Sequence, residues 1–110
     1  MSLRPLTPQE RADALRKAAA ARVTRAEAKE RLKSGRLTIT ELLGAAETDE
    51  AVARMRVVEL LEALPGIGQV RAAAIMERLG IAASRRVRGL GIHQRAALVD
   101  FIDEKQPRSK

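Results

Sequence analysis

The sequence predicts an all-α fold, and three observations carry that prediction. Apolar residues recur at steps of three and four rather than two, the capping signature that starts helices occurs twice, and Pro-Gly or Gly punctuation closes each periodic stretch. No alternation of apolar and polar residues runs long enough for a β-strand, and no internal repeat is present. At 110 residues the chain has room for one compact core with an appended helix.

Thr7-Pro8-Gln9-Glu10 combines an N-cap hydroxyl, a proline at the first helical position and a glutamate at N3, which together start a helix. No Gly or Pro follows until Gly35, so this helix runs about 26 residues, or about 40 Å at 1.5 Å per residue. Its apolar side is mostly alanine, with only Leu15, Val23 and Leu32 of any size. Such a face cannot be buried throughout, and part of the helix should project into solvent. Ser34-Gly35 ends it. Thr38-Ile39-Thr40-Glu41 repeats the capping signature before a short helix around Leu42 and Leu43. Thr48 is the expected cap of a helical turn through Val52, and Val57, Val58, Leu60, Leu61 and Leu64 carry the spacing of a buried face that Pro65-Gly66 stops. From Gln69 to Leu79 an amphipathic stretch groups Val70, Ala73, Ala74 and Met76 to Leu79, with Gly80 placed to close it. A last helix carries Ala97, Leu98, Phe101 and Ile102 on one side and an exposed His93 in its first turn. Glu104 to Lys110, with Pro107, reads as a frayed tail.

Composition removes whole classes of function. Without cysteine there is no disulfide scaffold, thiolate metal site or cysteine nucleophile, and a single histidine provides no imidazole cluster, so neither metal nor cofactor is expected. Phe101 is the only aromatic residue, which leaves no stacking platform for unpaired bases. No apolar run approaches the ~20 residues of a spanning helix and no signal-peptide pattern opens the chain, so a soluble cytoplasmic protein without a membrane partner is expected. The net charge of +7 directs attention to polyanions.

That charge is unevenly placed. Residues 1–35 hold nine basic and four acidic side chains, 36–64 three and six, 65–95 six and one, and 96–110 three and three. Within the first helix Arg22, Arg25, Lys29 and Lys33 follow at steps of three, four and four and share one stripe, suited to tracking a phosphate backbone. The plainer alternative is a solvated helix laced by pairs such as Asp13 with Lys17 and Glu27 with Arg31.

The most informative segment is Leu64-Pro65-Gly66-Ile67-Gly68-Gln69-Val70-Arg71-Ala72. Gly66 and Gly68 permit positive φ and close approach of another molecule, Ile67 can plug the core, and the following helix presents unpaired N–H groups backed by its dipole. That is an anion site suited to phosphate, and it reads no base sequence. Arg85-Arg86-Val87-Arg88-Gly89 adds three guanidinium groups, which can bridge phosphate oxygens or enter a narrow minor groove, with Val87 anchoring the segment inward.

The pattern LPGIGxxxAxxI resembles the helix-hairpin-helix of DNA-binding proteins. The wider run of Leu6-Thr7, Gln9-Glu10-Arg11, Lys17 to Arg22, Lys33-Ser34-Gly35, Met55-Arg56-Val57, Leu60 to Gly68 and Arg85 to Gly91 resembles the actinobacterial integration host factors over nearly the whole chain. The resemblance implies a nucleoid-associated protein that binds duplex DNA with little sequence preference, bends or compacts it and assists phage integration, and a monomer in solution is expected. It implies a long basic helix over residues 1–35, a helix-two-turns-helix domain over 36–104 and a flexible tail over 105–110. Carried over by position, Pro65, Gly66, Gly68, Gln69 and Val70 would touch phosphates, with Arg85, Arg86, Arg88 and Gly89 against the adjoining groove. Gln69 stands where the family usually has lysine, and Val23 and Thr24 stand where it is often more basic.

An enzyme is not expected. Glycosylases with related hairpins need a catalytic acid beyond the hairpin, and from Gln69 to Val99 the only carboxylate is Glu77. No small-molecule substrate is indicated either. A ribosomal-type protein binding structured RNA is the stronger rival, although the segment after Phe101 is short and neutral rather than lysine-rich.

Overall fold

The structure, a computed structural model, describes residues 5–105. Six α-helices follow in order, α1 (Pro8–Lys33), α2 (Ile39–Ala45), α3 (Glu50–Ala53), α4 (Val57–Ala63), α5 (Gln69–Leu79) and α6 (Ile92–Lys105), with a 3-10 turn at Val87–Gly89 before the last. Both capping boxes form as their residue types dictate. Thr7 Oγ1 accepts from the Glu10 N–H at 3.0 Å while Glu10 Oε1 accepts from the Thr7 N–H at 2.9 Å, and Thr38 with Glu41 repeats the exchange. The start of α3 differs from expectation: Asp49 rather than Thr48 is its cap, with Oδ1 accepting from Ala51 and Val52. A carboxylate at that position also opposes the positive helix end, which a hydroxyl cannot do.

The core lies among α2 to α6 and takes only the last turns of α1. Ala28 and Leu32 are buried against α3 and α4, whereas Leu15 is 66% and Val23 58% exposed, so the first half of α1 stands free of the body. This arm stretches the molecule to 50 × 31 × 25 Å and raises the radius of gyration to 16.0 Å, above the about 13 Å of a compact domain of this length. At the far end of α1, the N–H of Gly35 bonds Leu32 O and that of Arg36 bonds Arg31 O, satisfying carbonyls the helix leaves open.

Leu42, Leu60, Leu61, Val57, Met55, Val87 and Leu98 are the best-buried side chains of the body. On α5 the buried face is Ala72, Ile75 and Met76, so Val70, expected among the apolar group, instead stands at the helix start with 85% exposure. Gly80 ends α5 at φ 70°. The last helix continues through Lys105, making Glu104 and Lys105 helical where the sequence suggested a frayed tail; residues 106–110 of that tail lie outside the described residues.

Two antiparallel backbone bonds tie distant segments together. Val57 N–H donates to Arg85 O and Val87 N–H to Met55 O, both at 2.9 Å, which pins the 3-10 turn over the start of α4. Among the described residues this is an isolated bridge, with no strand, and the fold is all-helical.

Candidate nucleic-acid interface

Most of the residues singled out by sequence gather at two places. One is the turn from α4 to α5. Leu64 leaves α4 extended, Gly66 turns the chain at φ 78°, and Ile67 drops into the core with its N–H on Leu64 O at 3.2 Å. That positive φ is open to glycine at no steric cost. Gly68 does not share it: with φ −96° it takes the N-cap position of α5 in an extended conformation. A Cβ built there would meet nothing within 4 Å, so nothing inside the molecule requires its absence.

The consequence is an open, uncapped helix start. Gly68 has no side chain to offer, the first turn of α5 contains no acidic residue, and helix geometry leaves its leading N–H groups without intrahelical acceptors. Positive dipole and free donors therefore face the same space. Gln69, Val70 and Arg71 are all exposed around it, and Pro65 borders it. Arg71 folds back so that Nη1 lies 3.4 Å from Gly66 O, holding a guanidinium beside the turn.

The second place is a groove between α1 and the body. Lys17, Arg22, Arg25 and Lys29 line it from α1, and Arg54, Arg86 and Arg88 line it from the body together with Asp49, Glu50 and Glu59. The stripe read from α1 therefore faces inward over part of its length. Arg25 Nη1 approaches Ala51 O at 3.5 Å and Lys29 Nζ approaches Glu59 Oε1 at 3.4 Å. Arg22 remains exposed, while Lys33, also exposed, is outside the groove lining. Asp13, considered as a partner of Lys17, pairs with Arg16 instead.

Within the arginine-rich turn the three guanidinium groups part company. Arg86 and Arg88 are exposed on the groove, but Arg85 is half-buried and donates from Nη1 to Gly89 O at 3.2 Å. A Cβ on Gly89 would come within 3.0 Å of Arg85 Cδ, so this glycine is what lets the arginine lie across the turn. Arg85 Nε is buried with no hydrogen-bond partner among the described residues. Val87 is fully buried beneath, as expected.

The bridge brings in two arginines that the sequence does not mark out. Arg56 stands directly opposite Arg86 in the pair flanked by the two backbone bonds, the closer kind of antiparallel pair, with Cα atoms about 4.5 Å apart. Like charges so placed repel. Arg86 Nη1 donates to Arg54 O at 2.6 Å, but neither Arg56 nor Arg86 has a carboxylate partner among the described residues. Arg54 itself pairs with Glu50 at 2.6 Å. Its sequence signal, an acidic residue four positions earlier, reads as an ordinary helix pair.

Comparison with known proteins places this geometry. Residues 32–101 match the S13-like H2TH domain family. The chain is 55% identical over 98 residues to the integration host factor of Streptomyces coelicolor, covering 89% of this chain and 92% of the relative, and 54% identical over 100 residues to that of Mycobacterium tuberculosis, covering 91% and 95%. Among solved structures, that of sIHF bound to an 8-bp palindromic DNA aligns with a TM-score of 0.77 at 51% identity, covering 78% of this chain and 97% of that one. With such identity spread over nearly its whole length, the chain belongs to the actinobacterial integration host factor family.

Proposed function

We propose that this protein is a non-enzymatic, nucleoid-associated architectural factor of the cytoplasm, which binds duplex DNA with little sequence preference by gripping phosphates, bends or compacts it, and assists site-specific phage integration. The observation that carries the reading is the uncapped start of α5 behind an open glycine turn, in a chain 51% identical to sIHF, which was solved with DNA bound. Such a helix start recognises phosphate through backbone N–H groups and reads no base.

In this reading residues 36–104 are the helix-two-turns-helix domain and residues 1–35 a basic arm. The hairpin residues Pro65, Gly66, Gly68, Gln69, Val70 and Arg71 hold one stretch of strand. Arg22, Arg25, Lys29, Arg86 and Arg88 hold another along the groove, with Lys33 extending the arm's charge. The paired Arg56 and Arg86 support this, since a phosphate between them would relieve a repulsion that the fold otherwise sustains. Arg85 and Gly89 act by fixing the turn rather than by reaching the DNA. Two separated surfaces on one monomer favour a bent duplex over a straight one.

The test is a titration of the full chain into a short fluorescent duplex across about 50 to 200 mM salt. Neutralising six to eight phosphates gives log K against log salt a slope of about −5 to −7. A slope near about −1 would mean that the basic surfaces do not act together on the backbone.

A further inference from the structure

A smaller pocket lies between α5 and α6, outside the basic groove. Ile67, Ile75 and Ile102 form its apolar floor, the half-buried Phe101 one wall, and Ala74, exposed on α5, leaves the mouth open. Two arginines border it. Arg71 and Arg78 are seven residues apart on α5, hence on one face and about 10 Å apart along the axis. Arg78 lies over the Phe101 ring with Cζ 5.6 Å from its centroid. Among the described residues neither arginine has a carboxylate partner.

The volume, about 220 Å³, is that of one large side chain and falls below the about 300–1,000 Å³ of ordinary small-molecule sites. Two guanidinium groups at the rim match carboxylates and phosphates alike, and it is the apolar floor beside them, which gives a phosphate nothing to bond, that favours carboxylates carried next to an apolar side chain. We propose that this pocket docks an acidic segment of a partner protein, seating one large apolar residue against Ile75 and Phe101 while flanking carboxylates take Arg71 and Arg78. Buried anchors seated in pockets carry most of the energy of protein recognition, and charges at the rim add selectivity and speed of association. Ile67 lines the pocket and also plugs the α4–α5 turn, and Arg71 also reaches Gly66 O, so an occupant draws on residues of the turn proposed to hold phosphate.

The probe is a synthetic acetylated peptide, Asp-Glu-Phe-Asp-Glu amide, with an otherwise identical peptide carrying Ala for Phe as control, titrated into the isotope-labelled full chain and followed by NMR. Saturable shifts are expected at the amides of Ala74, Ile75, Arg78 and Phe101 with the Phe peptide and not with the control. Ala74→Leu fills the mouth with a good helix former at an exposed position and should abolish those shifts while leaving helicity and duplex DNA affinity unchanged. Arg78→Glu should weaken the peptide about tenfold or more, a second variant that does not depend on how leucine packs. Absence of shifts, equal shifts with the control peptide, or shifts that survive Ala74→Leu would overturn the proposal. So would duplex DNA moving the Arg78 and Phe101 amides with a loss of DNA affinity in Arg78→Glu, which would assign the rim to the DNA surface.

Discussion

Replacing Gly68 by aspartate should make the protein more stable and a poorer DNA binder at once. The backbone there, φ −96° and ψ −170°, is one that any N-cap residue adopts, and a Cβ meets nothing within 4 Å, so the side chain enters without strain. Aspartate caps the leading N–H groups of α5, worth a few tenths of a kcal/mol over glycine, and its charge opposes the helix dipole for about 0.3–1 kcal/mol more. A gain of about 0.5–1 kcal/mol raises the melting temperature by roughly 2–8 °C in a domain of this size. The same carboxylate occupies the place proposed for a phosphate and takes the donors that would hold it. Two like charges about 4 Å apart repel by about 1 kcal/mol in water and up to about 4 kcal/mol in a partly desolvated interface. A loss of about 1–3 kcal/mol, or about 5- to 150-fold in affinity, follows. Thermal unfolding and fluorescence anisotropy with a short duplex read the two effects. A stabilised variant with undiminished DNA affinity would refute the assignment of phosphate to this turn; a destabilised one would refute the geometry drawn for the cap.

Other substitutions separate the remaining parts of the account. Arg88→Ala, at an exposed guanidinium on the groove, should weaken duplex binding and flatten its salt slope by about one while unfolding is unchanged. Arg85→Ala should show the opposite pattern, a stability loss of about 0.5–1.5 kcal/mol from the lost bond to Gly89 with little change in the salt slope. In Glu59→Ala, Lys29 loses its 3.4 Å partner, so DNA affinity should rise about two- to fivefold; because both side chains are more than a third exposed, stability should fall by no more than about 1 kcal/mol in urea unfolding. Leu32→Ala, at a side chain 1% exposed, should cost about 2–5 kcal/mol, whereas Leu15→Ala on the free arm should stay within about 0.5 kcal/mol by calorimetry.

What the sequence conveyed well was local. Thr7 with Glu10 and Thr38 with Glu41 specify their helix starts through side chains three residues apart, and both boxes form with the exchange that pattern implies. Thr48 misled although Asp49, which follows it directly, is the stronger N-cap by residue type, so here the propensity ranking itself favours the residue that caps. Val70 falls within the apolar period of α5, but the turn that buries Ile67 sets the start of that helix in the open, where tertiary geometry overrides the pattern. The bridge between residues 55–57 and 85–87 left no trace at all. It joins backbone to backbone across some thirty positions, and backbone bonds of that kind carry no residue code. With the bridge hidden, so were the pairing of Arg56 with Arg86 and the groove that brings Arg86 and Arg88 opposite Arg22 and Arg25.

Whether the two basic surfaces serve a duplex DNA backbone is decided by competition at two salt concentrations, with labelled duplex DNA challenged by unlabelled duplex DNA, single-stranded DNA and duplex RNA of equal length. Duplex DNA should be the strongest competitor, and binding should fall steeply with salt. Stronger competition by duplex RNA would contradict this and move the protein to structured RNA.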